Sequence, residues 1–248
     1  MLWRQALVKQ GKAEEAEEIG LKQYIEEPIS TYTPQKPPRK LSIQERLERA
    51  ENLLDAHRNP KVIEALENMP SNMTKDLRCR WDFALGMAHR KLHHYKKAEQ
   101  HLQKAILSCN DLNLIRRASY VYAKVISISS GLRSLDAIES FVKKFDGHSM
   151  VDDVLFWAGD LYQRRELYSE ANAYFQRAQS VKTKGDYCAE SLWRIAWIAF
   201  RQKQFKQAKS TLKQVFHNNG CVKDVFHHSR AYYWLGRLAQ LQKKRKEA

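Results

Sequence analysis

The sequence predicts an all-α fold, a superhelix of stacked antiparallel helix pairs. Three observations carry this. The 248 residues include only 9 glycines and 6 prolines, too few breakers for a fold of tight turns. Small residues stand at positions 50, 86, 123, 159, 196 and 236, so they recur every 36 to 40 residues. Three of them, at 86, 159 and 196, are followed at fixed distances by an aromatic and then by apolar residues at helical spacing. One helix pair cannot bury its own apolar face, so a pattern of this period implies that neighbouring pairs stack.

The elements follow in order. Residues 1–26 read as a helical segment broken at Gly11. Pro28, Pro34, Pro37 and Pro38 then forbid a continuous helix, and 27–41 reads as an extended linker. Ser42 is placed to cap the next helix, with Glu45 at the capping-box position. Repeats are expected over 42–248. The first, on Ala50, is weak, with Asn59, Val62, Leu66 and Met69 at +9, +12, +16 and +19. Gly86 is followed at the same distances by Tyr95, Ala98, Leu102 and Ala105. Ala123 opens a degenerate unit with Ala137 and Phe141 on its second helix. Gly159 leads to Tyr168, Ala171, Phe175 and Ala178, and Ala196 to Phe205, Ala208, Leu212 and Val215. Gly236 opens a last unit whose +12 position is Ala248, so this unit is expected to be incomplete. Its stripe of Tyr232, Trp234, Leu235, Leu238 and Leu241 would then be met by a second copy of the chain or by another domain.

Charge is uneven. The chain carries +15, and residues 194–248 hold 13 basic and 2 acidic residues, a net +11. That balance points to an anionic partner or to a lysine-rich solvated surface. No apolar run is long enough to cross a bilayer. Cys79, Cys109, Cys188 and Cys221 are far apart in sequence and read as buried helix-packing residues, and a pairing among them would need a fold that brings two Cα atoms within about 7 Å. His89, His93, His94 and His101 sit close together without a carboxylate or cysteine at ligand spacing, so no metal site is expected. His227 and His228 read as surface residues, and Asp152 and Asp153 as helix N-terminal charges. Nucleotide-binding, metalloprotease and serine-hydrolase motifs are absent, and no cofactor or catalytic residue is expected.

The offsets resemble the tetratricopeptide repeat, strongly over 81–105 and 155–178 and well over 192–215. The phrases Leu192-Trp193-Arg194-Ile195-Ala196-Trp197 and Ala231-Tyr232-Tyr233-Trp234-Leu235-Gly236-Arg237 look like the helical scaffold of soluble lytic murein transglycosylases. In that family the scaffold precedes a lysozyme-like domain that cleaves peptidoglycan strands. The Glu139-Ser140 and Glu190-Ser191 pairs lack the family's Gly-Leu-Met-Gln sequel, so no catalytic residue carries over.

Two functional readings follow. The first is a non-catalytic scaffold that positions peptidoglycan glycan strands or a catalytic domain. The second is an independent repeat adaptor that binds a peptide or protein. A nucleic-acid partner is disfavoured, because no regular base-reading set recurs from repeat to repeat. Location is periplasmic if a leader has been removed, and cytoplasmic otherwise. In tetratricopeptide repeats the first helix of each pair lines the ligand face. That places Trp193, Trp197, Phe200, Arg201, Arg230, Tyr233 and Arg237 there, rings for sugar stacking beside guanidinium groups for carboxylates.

Overall fold

The computed structural model describes residues 41–68, 70–181, 187–217 and 225–247. The expected helical segment 1–26 and all of the linker but its last residue lie outside them. Among the described residues the regular structure is helical throughout. The elements are α1 (Ile43–Asp55), α2 (Asn59–Ala65), α3 (Lys75–Lys91), α4 (Tyr95–Ser108), α5 (Leu112–Ser129), a 3-10 turn (Gly131–Ser134), α6 (Leu135–Lys144), α7 (Val151–Gln163), α8 (Tyr168–Ser180), α9 (Cys188–Arg201), α10 (Phe205–His217) and α11 (Val225–Glu247). They form two compact units, residues 1–114 and 115–248.

In the first unit, Ser42 and Glu45 cap α1 reciprocally, side chain to backbone, as their spacing predicts. The core joins Leu47, Ala50 and Leu53 of α1 to Val62, Leu66 and to Trp81, Ala84, Leu85 and Ala88 of α3. Helices α3 and α4 run antiparallel. Their points of approach move down one helix as they climb the other: His89 with His94, Gly86 with Leu102, Cys79 with Cys109. Gly86 is required there, because a Cβ on it would lie 2.7 Å from Leu102 Cγ.

The second unit repeats this scheme. A Cβ on Gly159 would lie 2.6 Å from Phe175 Cε1, again at +16. Ala171, Phe175 and Ala178 of α8 are buried, as are Ala208, Leu212 and Val215 of α10. On each first helix the positions at −4, 0 and +3 from the small residue face its second helix. They are buried in α3 (Asp82, Gly86, His89) and in α9 (Leu192, Ala196, Ala199). In α7, Leu155 and Gly159 are buried and Tyr162 is half-buried.

The turns between paired helices share a backbone device. His57, His93, Glu166 and Lys203, each at +7, are left-handed with φ of 59° to 61°. The next residue donates its N–H five residues back, Arg58 to Leu53, His94 to His89, Leu167 to Tyr162 and Gln204 to Ala199. This closes the spare carbonyls of the first helix and reverses the chain. No glycine marks these turns, so nothing in the sequence announced them.

The structure departs from the sequence reading in four places. In the degenerate unit the left-handed residue is Gly131, one place later than elsewhere, followed by the 3-10 turn. Ile138 and Phe141 are therefore the buried residues of α6, and Ala137 is only half-buried. Cys79 and Cys109 are buried, as read, but do more than pack: they form a disulfide, with Cα atoms 4.9 Å apart, that ties the start of α3 to the residue after α4. Cys188 is likewise disulfide-bonded. Finally, α11 does not turn at Lys243, its +7 position, but stays helical to Glu247. Ala248 lies outside the described residues.

Candidate functional site

Consecutive first helices meet through another fixed set of positions. Residues at −3, +1 and +4 on one helix receive the residue at −2 on the next. Tyr120 and Lys124 of α5 receive Trp157, with ring centroids 5.0 Å apart and the ammonium 4.2 Å from the indole. Phe156, Asp160 and Gln163 of α7 receive Arg194, whose guanidinium lies over the Phe156 ring and 3.4 Å from both Asp160 and Gln163. Trp193, Trp197 and Phe200 of α9 receive Trp234 at centroid distances of 5.7, 5.0 and 5.2 Å. The same joint is cation–aromatic, then polar, then aromatic.

The last joint holds most of the residues singled out in the sequence. Trp193, Trp197 and Phe200 are half-buried and stacked on one another. With Trp234, Ala196, Ala208, Leu212 and Leu238 they line an apolar cleft. Arg230 lies 4.5 Å over the Trp193 ring and donates to Glu190 and, at 2.6 Å, to His227 Nδ1. It is held by its own protein before any ligand arrives. Tyr233 is 62% exposed and meets Trp234 edge-on. Arg201 and Arg237 are exposed; Arg201 pairs loosely with Glu166 at 3.3 Å and Arg237 donates to Gln240 at 3.2 Å.

Two residues of this site were not singled out. Trp234 was read only as part of an apolar stripe, although it stands at −2, where Trp157 and Arg194 make the preceding joints. Glu190, which the sequence set aside as a catalytic candidate, is the carboxylate that holds Arg194 at 2.9 Å and Arg230. His227 and His228 are half-buried against this network rather than on the surface, and the His228 ring packs on Phe216.

Polar groups elsewhere serve packing. His89 is buried and stacks on His101, whose Nδ1 lies 2.7 Å from Asp82. Burial, helped by neighbouring cationic groups, lowers the His89 pKa to about 4. His93 lies apart from these rings, with its Nδ1 2.7 Å from the Tyr95 hydroxyl. Asp152 and Asp153 are more than helix-end charges: Asp152 is buried and accepts the Tyr187 N–H, and Asp153 accepts the Tyr120 hydroxyl. Burial raises the Asp152 pKa to about 6, against the lowering effect of the Tyr187 N–H. Among the described residues no three His, Cys, Asp or Glu side chains are grouped to hold a metal ion. None of the described helices is long and apolar enough to cross a membrane.

Residues 190–219, most of α9 and all of α10, match the tetratricopeptide repeat family. The solved structure of the apo form of RapI is similar to 94% of this chain and 68% of its own, with a TM-score of 0.62 at 12% identity. The fold is a tetratricopeptide-type helical solenoid. NprR, solved in complex with its cognate peptide NprX, aligns over 99% of this chain and 83% of its own, with a TM-score of 0.38 at 12% identity. No curated protein matches the sequence. The RapI likeness speaks for the fold alone.

Proposed function

We propose that this chain is a non-catalytic tetratricopeptide-type module that binds a partner protein or peptide. The observation that carries this reading is the α9–α11 joint, whose α9 side lies within the family match. An apolar cleft between Trp193, Trp197, Phe200 and Trp234 opens beside the exposed Tyr233. The cleft itself has room for about one water molecule, roughly 10 Å³, so a partner would lie across the half-buried rings and the exposed Tyr233 rather than insert between them, and the exposed guanidinium groups of Arg201 and Arg237 favour acidic neighbours around it.

A second reading keeps the expectation of a lytic transglycosylase scaffold holding glycan. Two observations favour it: Arg230 beside Trp193 combines a cation with a sugar-stacking ring, and the Cys79–Cys109 disulfide suits an oxidising compartment such as the periplasm. One experiment separates the two. A photo-crosslinking amino acid at position 233 should give discrete protein adducts in cells, while the purified chain should not co-sediment with insoluble peptidoglycan. Co-sedimentation that is lost in the triple Arg201→Glu, Arg230→Glu, Arg237→Glu variant, without protein adducts, would overturn the first reading in favour of the second.

A further inference from the structure

Helix α11 is a first helix whose second-helix face is open. Tyr232, Gly236 and Ala239 stand at −4, 0 and +3, the positions that are buried in α3 and α9, and all three are exposed here. The contrast is sharpest at the small residue. A Cβ on Gly86 or Gly159 would strike the facing helix at 2.7 or 2.6 Å, whereas one on Gly236 would meet nothing within 4 Å. Tyr232 packs one side of its ring on Phe216 of α10, with centroids 4.4 Å apart, and is still 66% exposed. The face is therefore an open strip along α11, with Tyr232 leaning on Phe216 and with Gly236 and Ala239 leaving room for a helix to approach closely.

Charge decides the occupant. Helices α10 and α11 contain nine Lys and Arg residues against the single Glu247. A second copy docking here would bring the same excess against itself, which disfavours it. Nucleic acid would satisfy the charge but has no apolar ridge to cover the strip. We propose that an acidic amphipathic helix of a partner protein docks on α11, its apolar stripe against Tyr232, Gly236 and Ala239, on the face that in α3 and α7 meets the second helix of the pair. This rests on reading the chain as a protein-binding module, and it adds where the partner binds and of what chemistry it is.

The test is a displayed library of 20-residue helix-biased peptides with a fixed leucine stripe and Glu, Gln or Lys at the other positions, panned against the whole chain. Glu-rich clones should be enriched. Their affinity should fall at least tenfold on Gly236→Trp, and on Ala239→Trp should the first variant fold poorly. It should also weaken severalfold between 0.05 and 0.5 M salt. Enrichment of Lys-rich clones, or of clones without charge preference, overturns the proposal. Glu-rich clones that bind both variants as tightly as the parent remove the strip but leave the protein-binding reading standing. No enrichment removes both. A DNA duplex that displaces the clones and ignores both substitutions also overturns it.

Discussion

Asp152 shows how a single residue departs from its sequence reading. Beside Asp153 at a helix start it reads as a dipole-compensating charge, yet it is 2% exposed and one of its oxygens takes the Tyr187 N–H. Its pKa of about 6 lies above the ordinary carboxylate value, so the fold favours the neutral acid. The sign follows: its contribution to stability is full below the ordinary value of 3.8 and is lost as pH rises through 6. An asparagine keeps an acceptor for Tyr187 and carries no charge. Asp152→Asn should raise stability at pH 8 by about 1–3 kcal/mol and make no difference near pH 3. Thermal melts of the two proteins at both pH values check this. At the same scale, the left-handed residues His57, His93, Glu166 and Lys203 were invisible in the sequence because none is a glycine and they share no residue type: His is among the side chains enriched in that conformation, Glu and Lys are not.

The helix pairs were legible wherever burial forces residue type. Gly86 faces Leu102 and Gly159 faces Phe175 because the helices cross too closely for a Cβ, and that steric demand leaves a small residue at a fixed distance from a large one. The pair α5–α6 was misread by one residue because a 3-10 turn after Gly131 shifts its register, and apolar pattern alone cannot count residues in a turn. The run Lys243–Lys246 reads as a helix end, and α11 is indeed helical through it to Glu247, so that the second helix implied by placing Ala248 at +12 does not begin there. The Cys79–Cys109 disulfide escaped because its partners are 30 residues apart and meet only once α3 and α4 fold back together. It joins the two ends of one helix pair, so it restricts the unfolded chain within a single repeat. Replacing both cysteines by alanine should cost about 2–4 kcal/mol. Urea unfolding should show that loss, and added reductant should then have no further effect on this pair.

At the scale of the whole molecule, the aromatic joint was legible as residue types but not as partners. Aromatic and guanidinium side chains at first-helix positions predicted a ligand face, and the structure gives several of them prior engagements within the chain: Arg230 to Glu190, and Trp193 and Trp197 to Trp234. Sequence spacing states which face a side chain shares; it does not state which neighbour has already claimed it. The charge excess of α10 and α11 was plain in the sequence, and the structure adds an open helical strip beside it. Both the repeat register and that strip rest on the equivalence of Gly86, Gly159 and Gly236. The direct measurement is the thermal stability of Gly86→Leu, Gly159→Leu and Gly236→Leu. The first two should lose about 1–3 kcal/mol by overpacking, while the third should hold its stability or gain up to about 1 kcal/mol from the better helix former. Equal losses at all three positions would contradict the open strip, and no loss at Gly86 or Gly159 would contradict the register itself.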